Sequence, residues 1–140
     1  MSTNYAVILE KYAERHYVSS FKKKYKGAWA ITWKAVVEEF RRIDSLFQTT
    51  IAETIVDKGN IKICKTEFRV AKTTDSRKTS GNRCIVAVNK STCIVHILLV
   101  YAKTDIHGHN ETAEWKRIIR ELPGVCRFTL TINIQKVVQC

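Results

Sequence analysis

Residues 81–103 read GNRCIVAVNKSTCIVHILLVYAK, and the fold turns on them. Two runs rich in β-branched residues, Arg83 to Val88 and Ile94 to Tyr101, flank the turn formers Asn89-Lys90-Ser91-Thr92, which predicts two antiparallel strands joined as a hairpin. Both runs are apolar at nearly every position instead of every second one. That pattern predicts a strand pair at the centre of a sheet with both of its faces covered.

Working outward, Ile61, Ile63 and the run from Lys65 to Val70 supply a further strand, and Tyr5 to Leu9 reads as a short one. A basic helix is expected from about Tyr12 to Lys26, with Tyr17, Phe21 and Tyr25 at helical spacing as core rings. After Gly27 a second helix carries Trp29, Trp33, Val36, Val37, Phe40 and Ile43 on one face, with Lys34, Glu38, Glu39, Arg41 and Arg42 outside. The pattern weakens between Thr49 and Asn60, where Asp57-Lys58-Gly59-Asn60 makes a turn. Asn110 is placed to cap a third helix, Glu111 to Leu122, which Pro123-Gly124 ends. The alternation of Phe128, Leu130, Ile132 and Ile134 predicts a half-buried strand over Phe128 to Gln135. The expected fold class is α+β: N-terminal helices packed on a small antiparallel sheet, then a C-terminal helix and an extra strand. With no repeat and no linker, residues 1–140 read as a single domain.

The composition is that of an ordinary globular chain: 45% hydrophobic and 26% charged residues in 140, with five Gly and one Pro. Its charge is not ordinary. Lys and Arg number 24 against 13 Asp and Glu, a net charge of +11, so an anionic partner is expected. The five cysteines, Cys64, Cys84, Cys93, Cys126 and Cys140, are odd in number and contain no CxxC pair, which argues against a disulfide framework or a zinc ribbon. No basic leader precedes an apolar stretch, and the longest apolar run is far shorter than the ~20 residues needed to cross a bilayer. A soluble, unexported protein of the cytoplasm, with no membrane partner, is the expectation.

Between Asn60 and Lys103 there are nine basic and two acidic residues, so this segment holds most of the net charge. Its loop from Thr73 to Ser80 is rich in Ser, Thr, Lys and Arg and can hold phosphates, although a merely solvated loop would read the same. Hairpin geometry brings Arg83, Tyr101 and Lys103 to the hairpin's open end. With the turn centred on Ser91, Arg83 lies opposite Leu99 and shares a face with Tyr101 and Lys103. A one-residue shift sends them to opposite faces, and the sequence leaves both registers open. If they converge beside Arg77 and Lys78, a guanidinium, a phenol and an ammonium suit a phosphodiester: Arg offsets developing charge, and Lys or Tyr moves protons. His107 and His109 flank Gly108, but a third metal ligand is wanting, so no metal is expected and His109 remains a minor candidate general acid. Cys93 and His96 stand three apart in a strand, which points them to opposite faces. No Gly-rich phosphate loop, serine elbow or catalytic carboxylate pair is present.

The succession Phe68-Arg69-Val70-Ala71, then the basic loop, then Gly81-Asn82-Arg83 before an apolar strand, then Tyr101-Ala102-Lys103 after the next, resembles the RelE/ParE superfamily of toxin-antitoxin toxins, over roughly Ile61 to Leu122. The resemblance implies helices on an antiparallel sheet whose concave face meets RNA. It also implies a cofactor-free, metal-independent endoribonuclease that cuts mRNA in the ribosome and is restrained by a cognate antitoxin. By position Arg83 would be the phosphate-stabilising arginine, and Tyr101 and Lys103 would complete the catalytic site. Arg69, Lys72, Arg77 and Lys78 would bind RNA. The superfamily also holds gyrase poisons without nuclease activity, so a non-catalytic binder of RNA or protein is the alternative reading, and a plain basic RNA-binding domain a third.

Overall fold

The computed structural model describes residues 4–14, 18–77 and 79–103, together with Ala113 and Arg117. Strand β1 spans Ala6–Leu9 and is followed by a single helical turn α1, Lys11–Ala13, then α2, Ser19–Tyr25, α3, Gly27–Arg41, and α4, Ile43–Leu46. Four strands complete the described chain: β2, Ala52–Asp57; β3, Ile61–Phe68; β4, Asn82–Asn89; and β5, Ile94–Ala102. They form one sheet in the order β1-β5-β4-β3-β2. All neighbours are antiparallel except β1, which runs parallel to β5. Of the third helix expected from Glu111 to Leu122, Ala113 and Arg117 are described and both are helical. The expected strand from Phe128 to Gln135 lies outside the described residues.

The expected β4–β5 hairpin forms, and its turn shows why. The Asn89 side-chain oxygen accepts hydrogen bonds from the backbone N–H groups of Ser91 and Thr92, at 3.0 and 3.1 Å, a local bond that competes with further strand pairing. The weak stretch before Asp57 proves to be a strand. Only β3 pairs with β2 among the described residues, and most of β2 is exposed or half-buried, so its side chains carry little of the apolar alternation that marks inner strands. The turn that follows is as read: the Gly59 N–H donates to the Asp57 carboxylate at 2.9 Å, and that bond, with Lys62 nearby, holds the carboxyl below its ordinary range.

Helices α2, α3 and α4 pack on one face of the sheet. Val18, Phe21, Trp29, Val36, Phe40, Ile43 and Leu46 meet Cys64 and Phe68 of β3, Cys84, Val86 and Val88 of β4, and Val95, Ile97 and Val100 of β5. Rings tie the corner together: Phe21 stacks on Trp29 with centroids 4.9 Å apart, and both touch the edge of Phe68 at 5.7 and 6.0 Å. The long helix breaks earlier than its apolar ladder suggests. Arg42 leaves helical geometry at φ −114° and ψ 41°, and Ile43 reaches the core from the separate turn α4. The buried stripe of α3 is Trp29, Thr32, Val36 and Phe40, with Trp33 and Val37 at its margin. On the far face of the sheet Ile63, Ile85, Ala87, Leu99 and Tyr101 are buried as well, as apolar occupancy at successive positions requires.

Tyr5, just before β1, is buried and its hydroxyl meets both oxygens of Asp44 at 3.3 Å. Burial first, and the Asp44 charge second, push its phenol from 10.0 up to about 12. The fold therefore holds this proton more tightly than the unfolded chain does, so the stabilisation is complete below pH 10 and is lost as pH rises towards about 12. Melting followed across that interval should show Tm falling less steeply for Tyr5→Phe than for the unaltered chain.

Candidate functional site

The hairpin register determines what meets at its open end. Near the turn, Asn89 lies opposite Ile94 and Val86 opposite Ile97, a spacing that would set Arg83 against Val100 and turn Tyr101 to the other face. The register shifts after Val86: Ile85 pairs with Leu99, leaving Leu98 as an extra residue on β5. This bulge restores Arg83 and Tyr101 to directly opposed positions on one face. Glu67 of β3 is the cross-strand partner of Arg83 on its other side. A row Glu67, Arg83, Tyr101 thus crosses three strands on the face opposite α2, α3 and α4. Lys103 lies one step beyond, its N–H donating to the Gly81 carbonyl at 2.6 Å. Gly81 has φ +76°, a left-handed conformation that favours glycine, which is why this residue type precedes the strand.

Burial divides the trio. Arg83 is 7% exposed and Tyr101 0%, whereas Lys103 is exposed. Arg83 donates from Nη1 to the Asn82 carbonyl at 3.2 Å, and its Nη2 lies 3.8 Å from Glu67 Oε1, so its charge is balanced inside the sheet. A guanidinium so placed has a fixed direction, and Glu67 supplies the counter-charge that its burial demands.

The loop between β3 and β4 is pinned at three points. Buried Thr32 on α3 donates to the Ala28 carbonyl at 2.8 Å and accepts the Ala71 N–H at 2.7 Å. Arg77 grips Glu39 of α3 with both terminal nitrogens, at 2.8 and 3.0 Å. Ser80 donates towards the Phe68 and Arg77 carbonyls, at 2.7 and 2.8 Å, and accepts from the Asn82 N–H at 3.1 Å. Arg77, expected beside a phosphate, is therefore engaged with helix α3. Arg69 is exposed and donates to the Thr73 carbonyl at 3.2 Å. Lys72 is exposed in a left-handed conformation, φ 69°, at the third position of a turn closed from the Thr73 N–H to the Val70 carbonyl. Lys78 and His109 lie outside the described residues. Sequence reasoning missed Glu67, Glu39 and Thr32, since an acid or a threonine acquires its role only from the partner that the fold sets beside it.

The described cysteines are free thiols. Burial pushes Cys64 up to about 11 and raises Cys84 as well, which leaves both poor nucleophiles at neutral pH. His96 meets Glu10 at 3.0 Å, tying β5 to the residue after β1. Among the described residues no three His, Cys, Asp or Glu side chains gather as metal ligands, and no helix is long and apolar enough to cross a membrane.

No family model matches this chain, and no curated protein matches it. Its structure is similar to a solved structure described as the archaeal RelE-RelB complex from Pyrococcus horikoshii OT3. The TM-score is 0.52 at 12% identity, over 72% of this chain and 97% of the other. The fold is thus a RelE-like α+β fold.

Thr32→Val keeps the shape of α3 and removes the acceptor of the Ala71 N–H. The loss should be about 1–3 kcal/mol in urea unfolding, with faster amide exchange at Ala71 and its neighbours.

Proposed function

We propose that this chain is the toxin of a toxin-antitoxin pair, inhibiting translation by metal-independent cleavage of mRNA in the ribosome and held inactive by a cognate antitoxin in the same cytoplasm. The RelE-like fold supports the toxin class, and its likeness to a RelE-RelB complex supports an antitoxin partner. The observation that carries the chemistry is the Leu98 bulge, which aligns Arg83 with Tyr101 one step from Lys103.

In this reading the ribose 2′-oxygen attacks the adjacent phosphorus, the 2′-O–P bond forms, and the bond from phosphorus to the 5′-oxygen breaks. The 2′-hydroxyl proton passes to a base and the leaving oxygen receives one in return. Arg83 would offset the charge gathering on the phosphate oxygens, while Tyr101 and exposed Lys103 would exchange the protons. Arg69 and Lys72 would track the backbone. His109 keeps its minor role as an acid, and Lys78 its role as an RNA contact. Arg77 would act at one remove, by fixing the loop through Glu39.

The burial of Arg83 and Tyr101 favours a second reading, a RelE-fold protein that binds its target without cutting it, as a gyrase-directed toxin or an RNA- or protein-binding relative. Cleavage in the first reading requires the face over these two residues to open when RNA arrives.

Expression of the unaltered chain without an antitoxin should arrest growth, and mapped mRNA ends should accumulate with codon phasing. Arg83→Ala should relieve the arrest and abolish the new ends, and Lys103→Ala should lower their yield by roughly 10²–10⁴-fold, the range for losing a positioned proton-transfer group. Arrest without new ends, undiminished in Arg83→Ala, would establish the second reading instead.

A further inference from the structure

The cleavage reading uses the sheet face that carries Arg83 and leaves the most uniformly charged segment without a task. From Val18 to Val37 the chain holds Lys22, Lys23, Lys24, Lys26 and Lys34 and not one Asp or Glu. All five lysines are exposed. None forms an ion pair with a described residue, whereas Arg41, Lys62, Lys65, Arg77 and Arg83 each have an acid within 4 Å.

Two backbone positions add an independent observation. Lys26, at the junction of α2 and α3, adopts φ 47° and ψ −120°, a region where glycine is the easy occupant, although Gly27 stands next to it. Lys72 holds a left-handed conformation on the turn that Thr32 fixes to α3. Two of the three described non-glycine residues with positive φ are thus exposed lysines, kept where a glycine would relieve strain. Completing the α2 dipole needs one cation near its last turn, and here three occupy consecutive positions with a fourth beyond. Helices α2 and α3 are fastened to the end of β3 by the Phe21, Trp29 and Phe68 rings, so the lysines ride on a rigid body.

We infer that the α2–α3 junction, with Lys22, Lys23, Lys24 and Lys26, is a docking surface for the phosphate backbone of double-helical RNA, on the face of the sheet opposite Arg83. The exposed side chains of α2 are Ser19, Ser20 and the lysines, and Ile31, the large apolar side chain exposed on α3, is by itself too little to enter a bilayer or centre a protein interface. Lysine ammonium groups act as point charges on phosphate without reading sequence, which suits contact to a duplex by its backbone. That the polyanion is RNA rests on the translational target proposed above. The docking surface does not require cleavage, and binding is measured separately from it.

The test uses the full chain, a labelled RNA hairpin with a stem of about 20 base pairs, and anisotropy titrations from about 50 to about 300 mM KCl. Replacing three lysines together, Lys22→Gln, Lys23→Gln and Lys24→Gln, should weaken binding at least ~10-fold at the middle of that range and reduce the slope of log K against log salt by about 2 to 3. Lys26→Gly should raise Tm and still weaken binding, a split that a purely structural lysine would not produce. Arg83→Ala should lose cleavage, whereas the triple lysine variant loses salt slope in hairpin binding, so failure of the nuclease reading and failure of this one give different results. Unchanged affinity and slope in the triple variant would overturn the inference. So would an equal loss in Lys58→Gln, which alters a distant exposed lysine, or a loss confined to vesicles of phosphatidylglycerol with RNA binding intact.

Discussion

One extra residue in β5 governs the geometry of the candidate site. Strand side chains alternate with a period of two, so a hairpin whose turn sets Val86 against Ile97 would send Arg83 and Tyr101 to opposite faces. Leu98 has no opposite number on β4, and the slip it introduces returns the two residues to a common face beyond it. Val86 and Ile97 before the bulge and Cys84 and Val100 after it all remain in the helix-side core. The bulge thus serves two registers at once, one for packing and one for the polar row Glu67, Arg83, Tyr101.

Electrostatics then separates the basic residues into two populations. Arg77 and Arg83 are matched by Glu39 and Glu67, and these pairs hold the loop and the sheet corner together. Buried or half-buried, such pairs serve position more than stability, because desolvation offsets much of their attraction. The exposed lysines of the α2–α3 junction, with Lys72 and Lys103, carry no such matching charge among the described ion pairs. A net charge of +11 therefore overstates what the sheet corner itself presents, since its two arginines are paired with acids.

Much of the architecture is legible in the residues. The apolar run from Cys84 to Val88, the turn formers at Asn89 to Thr92 and the ring spacing from Phe21 to Phe40 each encode local structure through short-range chemistry. Strand β2 escaped because an edge strand with exposed side chains lacks the apolar alternation that betrays inner strands. The end of α3 escaped because Ile43 keeps helical spacing while its backbone does not. Among the site residues, the convergence of Arg83, Tyr101 and Lys103 at one hairpin end follows from the order of the strands. In sequence Arg77 reads as a phosphate contact, since nothing announces Glu39, 38 positions earlier, as its partner.

The residues alone determined the inner strands, the turn between them and the surplus of positive charge, because each depends on neighbours close in the chain or on composition. Tertiary structure decided which face Tyr101 takes, that Arg83 is drawn into the sheet against Glu67, and that the strongest lysine cluster stands on the other side of the sheet. Those outcomes rest on pairings between distant segments and on a one-residue slip in a ladder, whose free energy belongs to the assembled sheet and is written in no single stretch of the chain.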